Sequence, residues 1–252
     1  DINGVTLGSL TSIAVSGDLM AVAVPADVKT DNGYVLFYNG LDSSAPAFLD
    51  SVEVGALPDM VTFTPDGGKV LVANEGEPSD DYTIDPEGSV SVINILASGE
   101  PEETGTTVGF TALNGTEADL MAQGMMFPNP AGRTINGTAI TSTVAKDLEP
   151  EYITTTNDVA YVSLQENNGL AIIDLEELTV DVVGLGTKSW AGFNIDIQEN
   201  DAVSFGQYTG IYGVYQPDTI ANFTWKDATF ILTANEGDAR EYFFDAADEA
   251  AC

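Results

Sequence analysis

The chain has 252 residues, 40 of them Asp or Glu against 7 Lys or Arg, leaving a formal net charge of −33 and a pI near 4.1. A field of that sign repels phosphate backbones and anionic headgroups, so nucleic acid and membrane insertion are excluded from the expected partners. The apolar share of 44% supports a packed core, and no apolar run approaches the ~18 residues of a spanning helix.

In chain order, the first alternating run is Ser12-Ile13-Ala14-Val15, turned by Ser16-Gly17-Asp18 into Leu19-Met20-Ala21-Val22-Ala23-Val24. Third and fourth strands are predicted at 33–38 and 48–54. The pattern restarts at Pro58-Asp59, turns at Pro65-Asp66-Gly67-Gly68, and runs through Val70 to Ala73 into Asn74-Glu75-Gly76-Glu77. Strands at 88–95 and 106–111 complete that unit. Residues 114–147 read as an insertion with a short helix at 117–122. A looser copy opens at Pro150-Glu151, reaches Gln165-Glu166 at the end of its second run, and has a third strand at 169–175. A second insertion, 190–215, is rich in Gly, Asn and aromatics. The last copy joins Pro217-Asp218 to Asn235-Glu236-Gly237-Asp238.

Two copies that each link Pro-Asp to Asn-Glu-Gly are a repeat, and three or four short strands per repeat describe propeller blades. The predicted fold is all-β: one β-propeller domain over 1–252 with WD40- or YVTN-like blades, three to four of them visible. The short rungs of a parallel β-helix fit these units less well. Propellers close with about four to eight blades, and bare strand edges are avoided. The domain is therefore expected to be incomplete at its C-terminus, with further blades of the same protein or other surface proteins as partners. Cys252 is the only cysteine, so its expected partner lies outside this chain.

Antiparallel pairing of the first two strands sets the start of one beside the end of the next. That places Asp59 near Asn74 and Glu75, Glu151 near Gln165 and Glu166, and Asp218 near Asn235 and Glu236. With Glu77, Asp80, Asp81 and Asp85 from the following loop, and Asp238 from the last copy, these residues form a predicted oxygen-rich rim suited to calcium. Two readings stay open. Asp after Pro also closes turns through its own backbone, and Asn-Glu-Gly supplies a left-handed position. The acidity likewise serves either ion binding or solubility.

Enzyme signatures are sparse. The chain has no histidine, which removes His-based triads and the commonest general base. Gly184-Leu185-Gly186-Thr187-Lys188-Ser189 lacks the glycine a phosphate loop needs before its lysine. Trp190, Phe193, Tyr208, Tyr212 and Tyr215 either stack on sugars or pack beneath the insertion, with packing favoured. Arg240 is read as an ordinary ion pair with Asp238 or Glu241. Glycan acceptor triplets stand at Asn114, Asn136 and Asn222.

On residues 57–95, 147–175 and 215–242 the sequence resembles the bacterial choice-of-anchor I family, most clearly in LPDMVTFTPDGGKVLVANEGEPSDDYTIDPEGSVSVINI, DLEPEYITTTNDVAYVSLQENNGLAIIDL and YQPDTIANFTWKDATFILTANEGDAREY. The resemblance implies an extracellular propeller held on the cell surface, with relatives similar to mesenchyme-specific cell-surface glycoproteins and to surface proteins labelled alkaline phosphatase. It implies no established chemistry. The expected function is a calcium-stabilised surface module for adhesion or assembly, with a calcium-dependent phosphatase or phosphodiesterase as the alternative.

Overall fold

The computed structural model describes residues 2–42, 45–79, 82–127, 134–135, 138–139, 141–198 and 202–238. Three four-stranded antiparallel sheets follow one another, each in simple up-and-down order. The first is β1 (Ser12–Ser16), β2 (Leu19–Val24), β3 (Asn32–Asn39) and β4 (Ala47–Ala56). The second is β5 (Pro58–Phe63), β6 (Lys69–Asn74), β7 (Ser89–Asn94) and β8 (Thr106–Gly109). After a 3-10 turn (Thr111–Leu113), the first insertion holds helix α1 (Glu117–Ala122), a small ladder of β9 (Thr134–Ile135) and β10 (Thr138–Ala139), and helix α2 (Val144–Asp147). The third sheet is β11 (Ile153–Thr155), β12 (Val159–Leu164), β13 (Gly169–Asp174) and β14 (Thr179–Gly184). A two-residue ladder of β15 (Lys188–Ser189) with β16 (Tyr212–Gly213) opens the second insertion. A hairpin, β17 (Pro217–Trp225) and β18 (Ala228–Asn235), begins a fourth unit.

These sheets are propeller blades, and among the described residues they form an open arc. The second strand of each full blade is its most apolar, and in blade 2 both of its faces meet other blades. Thus β6 (KVLVAN) is buried at every position but its first, as expected for a strand covered on two sides. One core cluster joins blades 1 and 2 through Ala23, Phe37, Val52, Val61 and Val72. The other joins blades 2 and 3 to the insertion through Leu71, Phe110, Leu120, Leu148, Val162 and Ile173. Blade 4 carries exposed apolar side chains: Trp225 is 57% and Leu232 59% accessible.

Two glycines let the blades approach. A side chain on Gly55 would press on Asn74, and one on Gly88 would collide with the Leu148 carbonyl and the Pro150 ring. Helix α1 falls on the predicted residues. Helix α2 was not foreseen: Thr143 caps it by accepting from the Lys146 N–H at 3.3 Å, and Asn114 Oδ1 accepts from the Ala145 N–H at 3.0 Å. Strand β14 also went unread, because Glu176 and Glu177 mask a turn. Asp174 Oδ1 accepts from both their N–H groups at 2.9 Å, an Asx-type closure.

The acidic mouth, a candidate functional site

The repeated Pro-Asp does more than start a strand. In blade 2 the ladder runs Pro58↔Asn74 and then Met60↔Ala73, which leaves Asp59 as the extra residue of a β-bulge. Blade 4 repeats the irregularity between Pro217 and Ile220, around Asp218. A bulge re-aims the side chain it carries, and both carboxylates turn to the same mouth, where Asp59 lies close enough to Asp218 for their charges to repel. The following Asn-Glu-Gly is tied back to the strand start. Glu75 N–H donates to the Leu57 carbonyl at 2.9 Å, and Glu236 N–H to that of Gln216 at 3.3 Å. Gly76, at φ 73, packs against the Glu87–Gly88 backbone where a Cβ would not fit. The turn-closing and site-building readings of these motifs are thus compatible: the turn carries the acid.

Carboxylates from three blades share the mouth. Burial, then the charges of Asp218 and Glu77, raises Asp59 above the ordinary carboxylate range. Glu75 is raised further, by burial first and then by Glu77, Glu149, Asp59 and Glu166. Glu151 is pushed up to about 11 by burial, by the charge of Glu166 and by a hydrogen bond with it, with Glu75 and Asp59 adding to the effect. Such a bond between two carboxyls needs one shared proton. Glu166 Oε2 is buried without a hydrogen-bond partner. In blade 4, Glu236 Oε2 accepts from Gln165 Nε2 at 3.2 Å, linking it to blade 3. At the rim, Lys29 of blade 1 pairs with Glu77 at 3.0 Å.

Not every predicted ligand joins this group. Asn74 is fully buried, but its Nδ2 donates to Ser89 and Ser91 Oγ at 3.2 and 2.9 Å, and its Cβ faces Gly55 of blade 1. It is a blade 1–blade 2 seam residue on the strand face opposite Glu75. Asn235 and Asp238 are exposed. Asp85 is half-buried in the loop between β6 and β7. Asp80, Asp81, Asn136, Arg240 and Cys252 lie outside the described residues. Among the described residues, no three acidic side chains are gathered tightly enough to form a ready coordination shell. Asn222 keeps its amide nitrogen inside the blade 3–blade 4 seam, donating to Thr154 Oγ1 at 2.6 Å and the Thr155 carbonyl at 3.1 Å. That nitrogen is the atom a glycan would take.

Sequence reasoning missed Glu149 and Lys29. Glu149 is 1% accessible and feels Glu75. The signal was available, since Glu149 precedes Pro150 as Leu57 precedes Pro58 and Gln216 precedes Pro217. Lys29 could have been marked by its rarity alone. In the second insertion Phe193 and Tyr212 are 55% and 64% accessible, so packing describes only part of the aromatic set. Lys188 Nζ sits 4.0 Å over the Trp190 ring.

Up-and-down four-stranded sheets with a shared acidic mouth define a β-propeller-type domain. The choice-of-anchor I domain profile matches residues 2–252. The chain belongs to that family, and membership points to a surface-anchoring module. No curated protein matches it. Similar solved structures include hydrazine synthase of Kuenenia stuttgartiensis (10% identity, 91% of this chain, 84% of that one, TM-score 0.30). The WD40 domain of Toxoplasma gondii coronin is another (14%, 75% and 52%, TM-score 0.28). A third is the β-propeller domain of the Trilobed protease from Pyrococcus furiosus, with its open velcro topology (12%, 92% and 99%, TM-score 0.20). At these scores they carry no argument about activity. Among the described residues no helix is long and apolar enough to cross a membrane.

Proposed function

We propose that this domain is an extracellular module held at the cell surface, stabilised by calcium at the acidic mouth and serving adhesion or assembly with other surface proteins. The observation that supports the reading is the Glu151–Glu166 pair, with Glu75 and Asp59 beside it: buried like charges from two blades, one oxygen of which has no partner. Near neutral pH such a group must hold a proton or a cation. A hard, oxygen-seeking ion of flexible coordination suits carboxylates that are near one another but not yet converged. Calcium would replace the shared proton between Glu151 and Glu166 and draw Glu75 or Asp59 inward, tying blade 2 to blade 3.

The test is thermal unfolding of the chain with calcium and with chelator. The expected result is a calcium-dependent rise in Tm that is lost in Glu166→Gln. No rise in the parent chain would refute the calcium reading. The alternative, calcium-dependent phosphoester hydrolysis, is read in the same samples with p-nitrophenyl phosphate. Turnover that needs calcium and disappears with Glu75→Gln would replace the structural reading with the enzymatic one.

A further inference from the structure

On blade 2 a second constellation carries different chemistry. Lys69 opens β6 and Asn94 closes β7, and the two are direct cross-strand partners. Lys69 Nζ donates to Asn94 Oδ1 at 2.7 Å. Asn94 Nδ2 donates to Glu102 Oε2 at 2.9 Å. The amide of Asn94 is therefore held between a primary amine on its carbonyl side and a carboxyl on its nitrogen side, with all three side chains partly buried. The geometry points to an intramolecular amide cross-link between Lys69 and Asn94, formed with Glu102 as the proton-transferring group.

The backbone fixes each participant. Thr64 clamps Lys69 on both sides: the Lys69 N–H donates to Thr64 Oγ1 and the Thr64 N–H to the Lys69 carbonyl, each at 3.0 Å. The Ile95 N–H donates to the Gly68 carbonyl and the Glu102 N–H to the Asn94 carbonyl, both at 2.9 Å. Held this way, the amine needs only a small rotation of its terminal torsions to move from the carbonyl oxygen to the carbonyl carbon. That is the pre-positioning that turns an improbable encounter into an intramolecular one.

In the reaction, Lys69 gives up one proton and its free amine attacks Asn94 Cγ, forming a C–N bond. Glu102 carries a proton from the attacking nitrogen to Nδ2. The Cγ–Nδ2 bond breaks and the nitrogen leaves as ammonia, which takes the first proton in water. Ammonium and primary amide become secondary amide and ammonium ion, with no oxidant or co-reactant. The cross-link would join neighbouring strands across the long loop 75–88, constraining the unfolded chain as a disulfide does. With a single cysteine, the chain has no internal disulfide to do so.

The test is intact-mass measurement of the purified chain, followed by two peptide maps, one with a protease that cuts after lysine and one with a protease that cuts after glutamate, since Glu75, Glu77 and Glu87 lie between Lys69 and Asn94. The expected mass is lower than the sequence mass by one ammonia. Cleavage after Lys69 should be lost in the lysine digest, and in the glutamate digest one branched peptide should contain both Lys69 and Asn94. Lys69→Arg, Asn94→Ala and Glu102→Gln should each show full mass for their sequence. A parent chain at full mass overturns the inference. So does a persistent ammonia loss in Lys69→Arg, which would mark cyclisation of Asn94 on its own backbone. Cross-linking undiminished in Glu102→Gln would remove Glu102 from the chemistry. The branched peptide in the parent chain decides the matter whether or not a variant folds.

Discussion

Replacing Glu151 by Gln isolates the strain stored at the mouth. The parent carboxyl is shifted from its ordinary 4.5 up to about 11 by burial and by Glu166. For an acid whose folded value is raised, stability is fully present below the unfolded value and falls as pH rises towards the folded one. Without cations, the domain should therefore lose stability steadily from about pH 5 upwards, by up to ~1.4 kcal/mol per pH unit for one proton. Because Glu151 keeps some solvent contact, ~2 kcal/mol between pH 5 and 8 is the working figure. The amide introduced by Glu151→Gln would donate to Glu166 without needing a proton. In chelator, the variant should match the parent at pH 5 and exceed it by ~2 kcal/mol at pH 8. Urea unfolding at the two pH values measures both. General repulsion from the excess of acids acts on parent and variant alike, so the difference between their pH slopes isolates the pair. A variant less stable than the parent at pH 8, or two parallel pH profiles, would refute the reasoning.

Three structural predictions can be checked by the same unfolding assay. Asn168 donates to the Gly124 and Gly186 carbonyls and accepts from the Tyr215 and Gln216 N–H groups, and it is fully buried. Asn168→Ala should cost on the order of 3 kcal/mol, and a loss under ~1 kcal/mol would deny its role in joining both insertions to blade 4. Gly88→Ala should force the blade 2–blade 3 seam apart at Leu148, costing on the order of 3 kcal/mol; a neutral result would mean the seam is looser than described. Asp227 sits at φ 62 in the β17–β18 turn, so Asp227→Gly should raise stability by about 1 kcal/mol, and a decrease would show that its side chain contributes more than the strain removes.

Much of this was legible because repetition exposes geometry. Once Pro58-Asp59 and Pro217-Asp218 are aligned, strand alternation and antiparallel pairing bring Asp59, Glu75, Asp218 and Glu236 to one rim. The same alternation, followed one residue back, turns Asn74 to the other face, and grouping it with Glu75 ignored that period of two. What repetition cannot show is contact between non-equivalent parts. Lys29 reaches Glu77 from the β2–β3 loop of blade 1, which carries none of the repeated Asn-Glu-Gly motif, and α2 puts Val144 and Ala145 into the same core cluster as Phe110 and Leu120. The Lys69–Asn94–Glu102 arrangement was hidden for a related reason. Its members stand at a strand start, a strand end and a loop, and only cross-strand register makes them neighbours.

The most direct test of the central claim, that buried carboxylates of blades 2 and 3 exchange shared protons for a cation, is calcium calorimetry at pH 7. Titrations run in buffers of differing ionisation heat count the protons released. The expected result is binding with about one proton released per ion in the parent chain, and no such release in Glu151→Gln. Calcium binding that releases no protons, or the same release from the variant, would contradict the account.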